Sequence, residues 1–137
     1  MNTPSASYFC QKRTIASIYS CVETRDTGEL NNYVANDASL IVKRDSQLAI
    51  VRGINDIALW LVKNYKHRRI EIIDSFDYLS REEEGVSVGQ AIVRNDDGLA
   101  NTFEYIHRWI FTGNIVSECQ LITGCDEESP MMAFNYR

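Results

Sequence analysis

After Tyr65 the spacing of apolar residues changes from a 3.6-residue period to a 2-residue period and holds it to Ile122. Residues 70–79, 86–94, 101–111 and 115–122 alternate or run apolar, with β-branched and aromatic side chains, as strands do. The segments between them are short and turn-forming: Glu82-Glu83-Glu84-Gly85, Asn95-Asp96-Asp97-Gly98 and Thr112-Gly113-Asn114. Connections this short join antiparallel neighbours, so the C-terminal half reads as a four-stranded meander. The glutamates at 82–84 fit a solvated hairpin tip.

The N-terminal half is helical first. In residues 8–24, Ile15, Ile18, Tyr19 and Val22 form the i, i+3, i+4, i+7 stripe of an amphipathic helix, with Ser5 or Ser7 able to cap its start. The chain breaks near Asp26-Thr27-Gly28, and Glu29 to Val34 reads as a short second helix with Leu30, Tyr33 and Val34 inward. Strands near 38–43 and 47–52 follow, joined at Arg44-Asp45-Ser46; Gly53 ends the second, and Ile54 to Tyr65 is a third helix. No repeat or Pro-rich linker divides residues 1–137, so they read as one domain with a core at about 8–122 and a tail at 123–137.

Composition excludes several classes. With 14 Lys+Arg against 19 Asp+Glu the net charge is −5, which disfavours a general nucleic-acid binder. No apolar run is long enough to span a membrane, and no basic-then-apolar pattern opens the chain. Cys10, Cys21, Cys119 and Cys125 have no C-x-x-C spacing and read as reduced thiols of a cytoplasmic protein. The two histidines, His67 and His107, form no metal-ligand pattern, and the glycines form no phosphate-binding loop, so neither metal nor cofactor is expected.

Three stretches carry a resemblance: Glu29-Leu30-Asn31-Asn32-Tyr33-Val34-Ala35-Asn36-Asp37-Ala38, then Arg52-Gly53-Ile54-Asn55-Asp56-Ile57, then His107-Arg108-Trp109-Ile110-Phe111 through the turn to Ile115-Val116-Ser117. In this order they resemble the nuclear transport factor 2-like superfamily, in the branch of ketosteroid isomerase and the SnoaL-like polyketide cyclases. The resemblance implies an α+β fold: a cone-shaped barrel of a strongly bent, mostly antiparallel sheet with three helices. It also implies an apolar pocket under the helices and a homodimer through the sheet's outer face. In ketosteroid isomerases a tyrosine and a protonated aspartic acid hold an oxyanion while a second aspartate shuttles a proton. Here the base position falls on Ile41 and Val42, the tyrosine position at or next to Ile18 beside Tyr19, and the oxyanion aspartate on His107. Steroid isomerisation by that machinery is therefore not expected.

A two-residue turn at Gly113-Asn114 would pair Phe111 with Val116, Trp109 with Glu118, His107 with Gln120 and Tyr105 with Ile122, all on one face. If that face is inward, His107 and Glu118 are a catalytic pair, and Tyr19, Trp60, Phe103, Tyr105, Trp109 and Gln120 bind substrate. A carboxylate beside an imidazole favours its charged form while burial opposes it, which can poise a general acid/base near neutrality. Two alternatives stay open: a satisfied polar network with Tyr105 or Tyr19, and a one-residue bulge that turns Glu118 to solvent. Trp60 fits core packing equally well. Asp45 fits a solvated turn or a pocket rim, and Asp74 or its alternate set Glu71, Ser75 and Asp77 could face inward. Lys66-His67-Arg68-Arg69 reads as a solvated loop rather than an anion site, and Met131 to Tyr136 as a pocket cover, a subunit contact or a frayed end. The leading expectation is a cofactor-independent isomerase, cyclase or dehydratase acting on a small apolar cyclic, polyketide- or terpenoid-like molecule. The alternative is a noncatalytic ligand-binding or dimeric assembly module of the same fold.

Overall fold

The computed structural model describes residues 6–44, 47–79 and 83–122. Ser5, Asp45, Cys125 and the tail named above lie outside them. The elements are α1 (Ala6–Thr24), a 3-10 helix (Thr27–Asn32), β1 (Val34–Arg44), β2 (Gln47–Arg52), α2 (Ile54–Tyr65), β3 (Arg68–Leu79), β4 (Glu84–Asn95), β5 (Ala100–Thr112) and β6 (Ile115–Ile122). The expected second helix is this single 3-10 segment; it keeps Leu30 inward, 1% exposed, while Val34 already belongs to β1.

The six strands form one sheet in the order β2-β1-β6-β5-β4-β3. Every pairing is antiparallel except β1 with β6, and the sheet is curved but unclosed, with β2 and β3 at its edges. The meander β3-β4-β5-β6 is the one the short turns require. At its last turn Gly113 has φ 64°, the first central position of a tight hairpin where a glycine is favoured.

The helices cover one face. The α1 stripe is buried as its period requires, with Ile15 fully enclosed and Ile18, Tyr19 and Val22 nearly so. From α2, Ile57 and Leu61 close the core against β1. Two polar residues of α1 tie it to the β5–β6 turn: Gln11 Nε2 donates to Gly113 O at 2.9 Å, and Thr14 Oγ1 to Asn114 O at 2.8 Å. Gln11 is 1% exposed, so its bond to the turn is shielded from competing water on the helix side. Gln11→Leu is expected to lower unfolding free energy by about 1–2 kcal/mol in urea titrations, leaving the secondary-structure spectrum unchanged.

Candidate functional site

Alternation along β5 sends Tyr105, His107, Trp109 and Phe111 inward, all 3% exposed or less. Tyr19 comes down from α1 among them, its ring 5.6–5.7 Å from the rings of Tyr105, His107 and Trp109. Tyr19 Oη and His107 Nδ1 are 2.7 Å apart, and the imidazole stacks on Tyr105 at 4.6 Å. Burial lowers the His107 pKa to about 3 and raises the Tyr19 hydroxyl well above its ordinary range, with Tyr105 beside it adding to the rise. Both groups are therefore neutral at pH 7. Either the tyrosine donates to Nδ1 and Nε2 carries the ring proton, or Nδ1–H donates and Nε2 keeps a lone pair. His107 Nε2 is buried without a hydrogen-bond partner in both cases.

A second chain of bonds runs beside this pair. Trp109 Nε1 donates to Ser87 Oγ at 2.8 Å, and Ser87 Oγ donates to Asp77 Oδ1 at 2.5 Å. Ser75 Oγ reaches the same carboxylate oxygen at 3.1 Å. Tyr105 Oη donates to Asp74 O at 3.0 Å, crossing Gly89. A Cβ at Gly89 would collide with that carbonyl and lie 2.6 Å from the tyrosine hydroxyl, so only glycine admits the bond.

The strand faces correct two expectations. Phe111 does pair with Val116, but Ile110 then pairs with Glu118, Trp109 with Cys119, Arg108 with Gln120 and His107 with Leu121. Ser117 is the extra residue, a bulge that exchanges the faces of β6 beyond it. Glu118 and Gln120 consequently lie on the outer face, bonded to each other at 2.8 Å, and Cys119 and Leu121 take the inward places. Glu118 is thus not a partner of His107, and Gln120 does not reach the pocket. A bulge at Ile73 acts likewise in β3: Ile70 and Ile72 face inward before it, while beyond it Asp77, paired with Ser87, faces inward and Asp74 pairs with the exposed Gln90. Phe76 and Tyr78, 61% and 63% exposed, mark the outer side.

Two apolar cavities lie next to this cluster. The inner one, about 50 Å³, is walled by Ile18, Leu30, Leu40, Ile57, Trp109, Cys119 and Leu121 among others. The outer one, about 270 Å³, opens between the ends of α1 and α2 and is lined by Cys21, Val22, Arg25, Thr27, Leu61, Val62 and Lys66. Val22 and Leu61 are walls of both. Burial raises the Cys119 and Cys21 thiols, helped at Cys119 by Glu118 and at Cys21 by Asp26 and Glu29, so both are protonated hydrophobes rather than nucleophiles. Of the expected lining residues, Trp109 walls the inner cavity, Tyr19 and Tyr105 stand behind it around His107, and Trp60 and Phe103 pack half-buried against the core. Among the described residues no three His, Cys, Asp or Glu side chains gather as metal ligands, and no helix is long and apolar enough to cross a membrane.

No family model matches the sequence, and no curated protein matches it either. Solved structures do. A provisionally named polyketide cyclase from Xanthomonas campestris pv. campestris superposes with TM-score 0.75 at 10% identity, over 94% of this chain and 98% of that one. A nuclear transport factor 2-like protein of unknown function from Burkholderia pseudomallei gives 0.64 at 16% identity, over 84% and 91%. TerC, solved with polyporic acid, gives 0.66 at 15% identity, over 84% and 92%. The fold of this chain is that of the nuclear transport factor 2-like superfamily.

Neutral His107 makes a measurable contribution to pH dependence. Its folded pKa lies far below the unfolded value near 6.5, so its contribution to stability is fully present above about pH 6.5 and is lost as pH falls toward about 3. Between pH 6.5 and 5 wild type should lose about 2 kcal/mol more unfolding free energy than His107→Gln, in paired urea titrations.

Proposed function

We propose that this protein binds a small, largely apolar molecule in the space under α1 and α2, with the outer cavity as mouth and the Trp109 wall as floor. The observation that carries this reading is the pair of apolar cavities sharing Val22 and Leu61. The TerC structure with polyporic acid supports it as a use of the same fold. N-phenyl-1-naphthylamine, a neutral probe that fluoresces when buried, should bind wild type at micromolar concentration. Leu61→Trp, which fills the shared wall, should weaken it at least tenfold; unchanged binding in Leu61→Trp would sink the proposal.

A second reading, acid/base catalysis without a cofactor, is favoured by one observation: a neutral, buried imidazole with an unspent nitrogen, its other nitrogen held by a tyrosine. In it His107 moves a proton α to a carbonyl and Tyr19 fixes the ring and polarises it, with no role for Glu118. Proton NMR in D2O with a panel of cyclic ketones tests it: wild type should accelerate α-deuteration at least a hundredfold over Tyr19→Phe and His107→Asn. Equal rates in all three would leave binding as the function.

We propose also that two copies pair through the outer sheet face. Phe76, Val88, Ile106 and Ile122 lie side by side across four strands there, and Ile41 and Ile50 are paired neighbours on the same face. Phe76 and Val88 are exposed in the single chain. Light scattering should give twice the chain mass for wild type and the chain mass for a Phe76→Glu, Val88→Glu double variant.

A further inference from the structure

The mouth of the outer cavity has a chemistry of its own. Among the described residues its polar walls are Thr27, the Cys21 thiol, Arg25 and Lys66, with no carboxylate in the lining. In a chain of net charge −5 this is a cationic opening on an apolar space. The nearby acids are turned to other partners: Glu23 accepts from the backbone N–H of Ile72 at 3.0 Å, and Glu29 from Asn32 Nδ2 at 2.8 Å. Asp26 and Glu29 lie near the Cys21 thiol, which tempers the positive field without occupying the cavity.

Arg25 carries a second, independent sign. The bonds Asp26 N to Cys21 O and Arg25 N to Val22 O close α1 in a Schellman motif, whose left-handed residue is ordinarily glycine or asparagine. Here it is Arg25, at φ 59°, the one non-glycine residue with positive φ among those described. A strained backbone under a long charged side chain is ill-suited to capping a helix and suits a group that has to stand at that point. The guanidinium donates from Nη1 to Lys66 O at 3.4 Å, which links the ends of the two helices that form the mouth and leaves its other donors available. The basic stretch 66–69 is therefore only partly a solvated loop: His67 pairs with Asp96 across an exposed 3.0 Å contact, while Lys66 stands on the cavity wall.

Resting on the pocket reading above, we infer that the ligand is amphipathic: an apolar ring or chain bearing one anionic oxygen group, the body lying between Val22 and Leu61 and the anion held at the mouth by Arg25 and Lys66. The experiment compares two probes of like aromatic body, 8-anilinonaphthalene-1-sulfonate, which is anionic, and N-phenyl-1-naphthylamine, which is neutral, by fluorescence titration at low ionic strength. The sulfonate should bind wild type about tenfold more tightly than the amine, and Arg25→Gln with Lys66→Gln should remove that advantage while leaving the amine within twofold. Arg25→Gly should raise the melting temperature by about 2 °C as the strain is released, and still lose about fivefold in sulfonate affinity. Equal affinity of wild type for the two probes, or sulfonate affinity unchanged in both Arg25 variants, overturns the inference and leaves the pocket. Val62→Trp blocks the outer cavity from an exposed position and so spares the fold. If both probes bind Val62→Trp as they bind wild type, the pocket itself is wrong, and the inference falls with it.

Discussion

A strand has two faces, and one inserted residue exchanges them; the interior of this protein is set by two such residues. Without the bulge at Ser117, Glu118 would lie beneath Trp109 and an unpaired carboxylate would enter an apolar floor, at a cost of several kcal/mol in real proteins. With it, Cys119 and Leu121 complete that floor. The same shift fixes how β1 docks, because Leu40 pairs with Cys119 and Val42 with Leu121, and all but the half-buried Cys119 are deeply buried. At the other end of the sheet, the bulge at Ile73 brings Asp77 in beside Ser87 and turns Phe76 and Tyr78 out. The floor of the inner cavity and the inward place of Asp77 follow from these two positions.

The interior that results contains polar atoms kept neutral. His107, Tyr19 and Cys119 are each shifted by burial toward their uncharged forms, and the inward carboxylate, Asp77, sits half-exposed at the β3 edge where two hydroxyls serve it. Among the described lining residues of the two cavities, fixed charge is confined to Arg25 and Lys66 at the outer mouth.

The fold was legible where periodicity is enforced by burial. The α1 stripe, the third helical segment, the meander and the Gly113-Asn114 turn all follow from apolar spacing and turn chemistry, and the structure has them at nearly the expected bounds. Of the satisfied network of His107 and Glu118 with Tyr105 or Tyr19, only the bond between Tyr19 and His107 is present, with Nε2 unpartnered and Glu118 elsewhere. The bulge that turns Glu118 outward was legible only as one alternative, without its position, and the bulge at Ile73 was not legible. Ser117 is one polar residue in an alternating run, and nothing local distinguishes it from a regular outward position. Ser87 was hidden for a related reason: in Val86-Ser87-Val88-Gly89 the valines suggest the buried face, yet it is Ser87 and Gly89 that go in, because Tyr105 and Trp109 fill the space above them and need a small or hydrogen-bonding neighbour. Arg25 carries no sequence signal at all, since a left-handed arginine is visible only in the backbone.

The parallel pairing of β1 with β6 joins the first hairpin of the sheet to the last strand of its meander. Every other ladder is a hairpin that can form locally as soon as its two strands exist. The two parts of the sheet, β2-β1 and the meander, can therefore assemble separately, yet the core between them cannot close until residues about 80 positions apart have met, and the entropy of that loop has to be overcome before any contact across it is gained. This single ladder raises the contact order of an otherwise local topology. It makes the docking of β1 against the last strand the natural rate-limiting step of folding, with Leu40, Val42 and Leu121 exposed to solvent until it happens.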